Sequence, residues 1–183
     1  MIGVSMRYLK IPMERVGILI GHKGEIKRKL EEKTKLTINI DSELGEISID
    51  EHDVEDPLLV LKVESIIRAI GRGFSPEHAM VLLSDNFELY IFDIHDYVGK
   101  KDTHVRRLKS RIIGREGKTK RVLEDLTSSY ISVYGHTVAI IANILNIDII
   151  KRAIDKLLDG SKHATVYRLV ESNMKKLRIE EGF

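Results

Sequence analysis

The residues Gly117, Lys118 and Thr119 stand in the order that ends a nucleotide-binding P-loop. In such a loop the lysine holds the terminal phosphates and the threonine hydroxyl holds magnesium. A P-loop also follows a strand and has a glycine five positions before its Gly-Lys-Thr, but that position is Ile112. The preceding stretch, 103–113, has apolar residues at helical spacing, which predicts a helix instead. The pattern therefore favours another kind of phosphate clamp, and nucleotide binding stays open as the alternative.

An internal repeat shows which part of this motif recurs in the chain. The sequence LIGHKGEIKRKLEEKTKLTINI (19–40) aligns without a gap against IIGREGKTKRVLEDLTSSYISV (112–133), with nine identities in 22 positions. Both copies contain Ile-Gly-x-x-Gly, at 20–24 and 113–117, whereas only the second contains Gly-Lys-Thr. The shared element is thus a Gly-x-x-Gly turn, because glycine supplies the backbone freedom that a tight turn needs.

The elements around each turn are predicted in the same order: strand, helix, helix, strand, strand, helix. In the first copy they are predicted at 5–11, 12–19, 25–32, 35–40, 46–50 and 57–71. In the second copy they are predicted at 88–94, 103–113, 118–126, 130–133, 137–141 and 148–160. A linker helix is predicted at 76–83 and a C-terminal helix at 164–176. The predicted fold class is α+β, with one domain in 1–74 and a second in 75–183, each a three-stranded sheet with helices on one face.

These motifs resemble the type I K-homology (KH) domain, in two tandem copies. The resemblance is carried by ILIGHKG (18–24) and RIIGREG (111–117), each followed by a predicted helix with Lys-Arg at its third and fourth positions. It implies that each turn clamps about four nucleotides of a single strand beside an apolar groove. The missing Cβ atoms let a phosphate approach the backbone, and the start of the next helix attracts its negative charge.

Charge distinguishes the two copies. Residues 7–28 contain six Lys or Arg and two acidic residues, whereas the matched window 100–121 contains ten and two. Each phosphate that a cation neutralises strengthens binding through counterion release. The second copy is therefore predicted to be the main RNA reader, with an ordinary solvated helix face as the alternative.

The predicted RNA-contacting residues fall into three groups. Glycines admit the strand, the cations Arg111, Arg115 and Lys118 neutralise its phosphates, and isoleucines help build the base groove or its floor. In the second copy the predicted set is Arg111, Ile112, Ile113, Gly114, Arg115, Glu116, Gly117, Lys118, Lys120, Arg121 and Ile131. In the first copy it is Gly21, His22, Lys23, Gly24 and Lys27.

Other function classes are disfavoured by composition. The chain has no cysteine, which excludes disulfides, thiolate metal sites and thiol nucleophiles. Its seven histidines show no short metal-ligand spacing, so no metal site is expected, and no nucleophile-elbow motif is present. A binding clamp of the KH kind implies neither a cofactor nor catalysis. No apolar run approaches 18 residues and the N-terminus lacks a signal-peptide core, which predicts a cytoplasmic protein without a membrane span. The absence of glutamine beside abundant Lys, Glu and Ile is typical of a heat-adapted organism.

Most of the chain is similar to one family, the archaeal and eukaryotic small-subunit ribosome biogenesis factors called Dim-two or Partner of Nob. The two turns, their spacing and the stretch 111–142 carry this resemblance, and the missing glutamine points to the archaeal branch. It implies binding of single-stranded RNA at the 3′ end of precursor 16S rRNA by a monomer. The implied protein partners are the Nob endonuclease and the alpha subunit of translation initiation factor two. Eukaryotic relatives have lost the first Gly-x-x-Gly, whereas GHKG (21–24) is intact here; a Krr-like factor and a scaffold that binds mainly protein remain alternatives.

Overall fold

The computed structural model describes residues 6–52, 56–180 and 182, and the chain forms two compact units. The first unit extends to Asp85 and the second begins at Asn86. The sequence placed the division after residue 74, so the structure groups a further short segment with the first unit. The predicted first strand began at Ser5, which lies outside the described residues.

The first unit contains one antiparallel sheet with the strand order β1-β3-β2. Its elements are β1 (Met6–Lys10), α1 (Met13–Ile20), a 3-10 turn (His22–Gly24), α2 (Glu25–Thr34), β2 (Thr37–Asp41), β3 (Glu46–Asp50) and α3 (Pro57–Gly71). Alternate residues of the strands point to one buried face, where Ile38, Ile47 and Ile49 are at most 1% exposed. Helices α1 and α2 contact α3 in this unit, which completes the predicted strand–helix–helix–strand–strand–helix order.

The end of the first unit explains the shifted division. Helix α3 begins with Pro57 after Asp56, whose carboxylate accepts a hydrogen bond from the Leu58 N–H. It is followed by α4 (Pro76–Ala79) and a second 3-10 turn (Met80–Leu83), both of which contact α3. From α3, the Lys62 ammonium donates to the Leu83 carbonyl at 3.0 Å and to the Asp85 carboxylate at 2.5 Å. These bonds tie the linker segment to the first unit.

The second unit repeats this arrangement with the strand order β4-β6-β5. Its elements are β4 (Phe87–Asp93), α5 (His95–Val98), α6 (Asp102–Ile113), a 3-10 turn (Arg115–Gly117), α7 (Lys118–Thr127), β5 (Tyr130–Tyr134), β6 (Thr137–Asn143), α8 (Ile147–Leu158) and α9 (His163–Glu180). The four-residue helix α5 was not predicted. It is fixed by Tyr97, whose hydroxyl donates to the Asp155 carboxylate on α8 at 2.6 Å.

The C-terminal helix is an integral part of the second unit. One side of α9 is buried, with Val166, Val170 and Met174 at most 7% exposed in the same hydrophobic core as α6, α7 and α8. The Tyr167 hydroxyl also donates to the Thr119 hydroxyl on α7 at 3.1 Å. Among the described helices, none has the length and apolar character needed to cross a bilayer.

Candidate nucleic-acid interface

The two Gly-x-x-Gly turns have nearly the same backbone conformation. Gly21 has φ 74° and ψ 177°, and Gly114 has φ 75° and ψ 175°. The third residue of each turn lies in the left-handed region, with φ 49° at Lys23 and φ 52° at Glu116. A non-glycine residue at positive φ is strained and persists only where the surrounding structure holds it. Since both turns have this conformation, we attribute it to the fold that the two units share.

The first glycine of each turn is required by space as well as by its dihedral angles. A Cβ atom on Gly21 would lie 2.9 Å from the backbone nitrogen of Ile26, and one on Gly114 would lie 2.7 Å from that of Thr119. The fourth residue differs, because a Cβ atom on Gly117 would meet only the Arg121 side chain, at 3.9 Å. The first glycine thus packs against the next helix, and the last leaves an open surface.

Helix α7 begins directly at the second turn. The Gly117 N–H bonds to the Gly114 carbonyl at 3.3 Å, and Lys118 is the first residue of the helix. The first N–H groups of a helix have no partner within it and carry the positive end of the helix dipole. The open side of the turn therefore has the backbone N–H groups and the free space that an anion would need.

Three cationic side chains of the second copy are exposed at the turn. Arg115 and Lys118 lie on either side of Gly117 and project to solvent, as does Arg121. The Arg121 guanidinium also donates to the Glu116 carbonyl at 2.6 Å, so it holds the turn in shape. Within the described residues, Arg115 and Lys118 thus make no side-chain hydrogen bond to protein, whereas Arg121 also stabilises the turn.

The lysine of the Lys-Arg pair that follows each turn has an unexpected role. Lys120 pairs with Glu124 at 3.1 Å, and the same Glu124 carboxylate accepts a hydrogen bond from the Ile131 N–H at 2.7 Å. The first copy repeats this, with Lys27 paired to Glu31 and Glu31 accepting from Ile38 N–H at 2.9 Å. We call each Lys–Glu–strand contact a helix–strand brace. Of the four lysines predicted to contact RNA, Lys27 and Lys120 are half-buried members of these braces.

Arg111 was predicted to neutralise phosphate, but its guanidinium is bonded within the protein. It donates to the Leu157 carbonyl at 2.7 Å and to the Ser161 carbonyl at 2.5 Å, which caps the C-terminal end of α8. In the first unit Arg15 caps α3 in the same manner, at the carbonyls of Ile70 and Phe74. These arginines occupy different places in the aligned repeat, so their common role could not be predicted from the sequence.

The isoleucines predicted for the base groove are mostly internal. Ile112 is 0% exposed and Ile131 is 2% exposed, and both belong to the hydrophobic core. They can support a groove only from beneath. Ile113 is half-buried and therefore offers some apolar surface beside the turn.

The structure argues against the P-loop alternative. The segment before Gly114 is the end of α6, not a strand. Thr119, whose hydroxyl would hold magnesium in a P-loop, is 4% exposed and accepts a hydrogen bond from the Tyr167 hydroxyl. Lys118, the residue before Thr119, is exposed.

Sequence reasoning noted Asp93 and His95 as neighbours but missed the polar cluster that they form with His136, because His136 lies about forty residues further along the chain. Asp93 accepts from the His95 and His136 rings, with N···O distances of 3.1 and 2.8 Å. Burial alone would raise the pKa of the Asp93 carboxyl, but hydrogen bonds from the His95 N–H and the His136 ring, with the two nearby imidazoles, lower it.

The cluster also has the spacing of a metal site, because the possible ligand atoms of Asp93, His95 and His136 lie within 4.8 Å of one another. However, the rings stack at 4.4 Å, whereas a metal lies in the plane of each ligating ring. The trio as arranged is a hydrogen-bonded cluster.

The two sheets, each with a Gly-x-x-Gly turn between two helices, define a tandem type I KH protein. A family model described as eukaryotic type KH domain (KH-domain type I) matches residues 88–175, and one for the KH domain matches 6–56. The chain belongs to the PNO1/Dim2 family of RNA-binding ribosome biogenesis factors.

Three relatives carry this assignment. A KH domain-containing protein of Methanocaldococcus jannaschii is 45% identical over 175 residues, which cover 95% of this chain and 76% of that protein. The pre-rRNA-processing protein PNO1 of Coccidioides immitis is 30% identical over 178 residues, covering 94% and 69%. The third relative is aDim2p in a crystal structure of the a/eIF2alpha–aDim2p–rRNA complex of Pyrococcus horikoshii. It superimposes with a TM-score of 0.86 and 45% identity, covering 94% of this chain and 95% of that one.

Proposed function

We propose that this chain is a non-catalytic, cytoplasmic RNA-binding factor that holds the single-stranded 3′-end region of (pre-)16S rRNA during small-subunit biogenesis. The observation that carries the proposal is the open turn Gly114–Gly117 at the start of α7, flanked by the exposed cations Arg115 and Lys118. Its family and the rRNA in the complex of its Pyrococcus relative support RNA as the ligand.

The proposed clamp uses backbone and side chains together. A phosphate approaches Gly117, where no Cβ atom blocks it, and meets the first N–H groups of α7. Arg115 and Lys118 neutralise this phosphate and its neighbour, while Ile113 offers apolar surface to an unpaired base. Arg111 and Lys120 add positive potential only, because their own hydrogen bonds are made within the protein.

The first unit has the same turn, but different side chains lie around it. Its exposed His22 and Lys23 are followed by Glu25, a carboxylate at the start of α2, where it repels a phosphate. Exposed apolar side chains also occur in this unit, with Tyr8 73% and Leu44 53% exposed. We propose that this unit makes weaker RNA contacts and docks protein.

The proposed protein partners come from the family resemblance. They are the alpha subunit of translation initiation factor two, as in the Pyrococcus complex, and the Nob endonuclease. We propose that the chain acts as a monomer, so that one chain joins one RNA end to its protein partners. Tethering the two units would then multiply modest individual affinities.

Fluorescence anisotropy with a single-stranded RNA copying the 16S rRNA 3′ end tests the proposal. Arg115→Asp should weaken binding at least about tenfold, because a charge-assisted contact contributes roughly 1.5–3 kcal/mol. The double variant His22→Asp, Lys23→Asp should weaken it less than about threefold. The control Lys176→Asp reverses an exposed charge on α9 and should leave affinity nearly unchanged.

Two results would contradict the proposal. Equal affinity of the native chain and Arg115→Asp would remove the second turn from RNA binding and favour a protein scaffold. Saturable binding of ATP with magnesium that disappears in Lys118→Ala would restore the nucleotide-binding alternative.

A further inference from the structure

An open pocket of about 490 Å³ borders the second turn on the side of α6. Its lining includes Thr103, Arg106, Arg107 and Ser110 from α6, Arg115 from the turn and His163 from the start of α9. The α6 residues recur three and four positions apart, so they form one stripe along the helix. From Thr103 to Gly114 this stripe is about 16 Å long at 1.5 Å per residue.

The cations of this stripe are available to a ligand. Arg106, Arg107 and Arg115 are exposed, and none has an ion-pair partner within the described part of the chain. Arg111 differs, because its guanidinium caps α8 and only contributes to the pocket wall. Clustered cations repel one another, so an anion placed among them is attracted from several sides.

The fold itself does not require these arginines. In the aligned first copy the positions of Arg106 and Arg107 are Met13 and Glu14, and α1 still forms there. Arginine on this face of α6 therefore serves neither the helix nor the core.

We propose that the α6 pocket binds backbone phosphates of the single strand next to the nucleotides held by the Gly114–Gly117 turn. The second unit thus holds a longer stretch of RNA than a KH turn alone, with Arg106 and Arg107 as the added phosphate ligands. This inference rests on the proposed function, because the strand must enter the turn before it can continue along α6.

The experiment compares two RNAs from the same sequence, one of about five nucleotides, near the length that a KH turn clamps, and one of about twelve. The test variant is Arg106→Ala, Arg107→Ala, which keeps strong helix formers in α6. The matched control is Lys175→Ala, Arg178→Ala, which removes two exposed charges near the other end of α9. Affinity is measured for each RNA over a range of salt concentrations.

The long RNA should bind the test variant about tenfold more weakly, and its salt slope should become shallower by about 0.7 for each lost phosphate contact. The short RNA and the control should behave as the native chain does. An equal loss for both RNAs would assign the arginines to the clamp itself and overturn the proposal, as would an unchanged affinity for the long RNA. If the native chain binds neither RNA, the proposed function has failed and this inference fails with it.

Discussion

The two KH units share the backbone of their turns and differ in the side chains around them. The first glycines, Gly21 and Gly114, agree to within 1° in φ and 2° in ψ. Around this common turn, Glu25 in the first unit corresponds to Lys118 in the second, and Met13 corresponds to Arg106. The difference teaches that the repeat preserves what folds the turn, while the cations proposed to neutralise phosphate, Arg115 and Lys118, stand at positions that the repeat does not preserve.

The identical positions of the repeat support this division. Several have a structural role: the first glycine packs on the next helix, and the Lys–Glu pair forms the helix–strand brace. Exposed cations beside the second turn, such as Arg115 and Lys118, are not identical between copies. The following predictions test this separation of folding from binding, beginning with the largest expected effect.

Replacing the first glycine should damage folding more than replacing the last. Gly114→Ala places a Cβ atom 2.7 Å from the Thr119 nitrogen, in a conformation that is essentially restricted to glycine. We expect the second unit to lose about 2–4 kcal/mol from strain and overpacking together. Gly117→Ala meets no close atom and should lose only the roughly 1–2 kcal/mol of a left-handed residue.

Native-state hydrogen exchange is the suitable measurement, because it reports the opening free energy of each unit separately. The first unit serves as the internal control in both variants. Equal destabilisation by Gly114→Ala and Gly117→Ala would show that space beside Thr119 does not limit the turn.

Removing the brace should have the next largest effect, and it should be similar in the two units. Glu124→Ala leaves the Ile131 N–H without its acceptor, and Glu31→Ala does the same to Ile38. A half-buried N–H that loses its partner destabilises by about 1–3 kcal/mol. Hydrogen exchange should show this loss in the second unit for Glu124→Ala and in the first for Glu31→Ala. Clearly different losses of stability in the two units would contradict the prediction that the two braces are equivalent.

The sequence predicted the repeated topology, since its periodicities and glycine turns are local signals. It missed α5, because four residues are too few to show helical period. The turn residues were predicted by type, but the engagement of Arg111 with α8 and of Lys120 with Glu124 depends on which elements meet in space. The cluster of Asp93, His95 and His136 is formed by segments about forty residues apart, so spacing alone could not indicate it.

Giving the first unit the cation that begins α7 in the second unit should raise RNA affinity moderately. Glu25→Lys removes a repelling carboxylate from the start of α2 and gives it the cation that α7 has. In an Arg115→Asp background, we expect Glu25→Lys to recover a few-fold in affinity, since an exposed charge at a helix start contributes about 0.3–1 kcal/mol. Anisotropy measures this, with Glu32→Lys at an exposed later position of α2 as the control. Equal recovery by the control would mean that only net charge matters.

The smallest effect concerns pH and only the second unit. The folded-state pKa of Asp93 is lowered, so its ionised form stabilises the second unit above the ordinary aspartate pKa. This contribution is lost as the pH falls through the lowered folded-state value. Asp93→Asn should therefore flatten the acid limb of the stability profile of the second unit and leave that of the first unchanged, as measured by hydrogen exchange. An unaltered acid limb would remove Asp93 from the pH response.

The helix–strand brace has a consequence for how KH copies diverge. Lys27 with Glu31 and Lys120 with Glu124 hold each helix to the strand that follows it, and this bond is independent of the turn's open face. Two copies can therefore differ in the cations beside their turns and keep the same helix–strand contact, as the two units of this chain do.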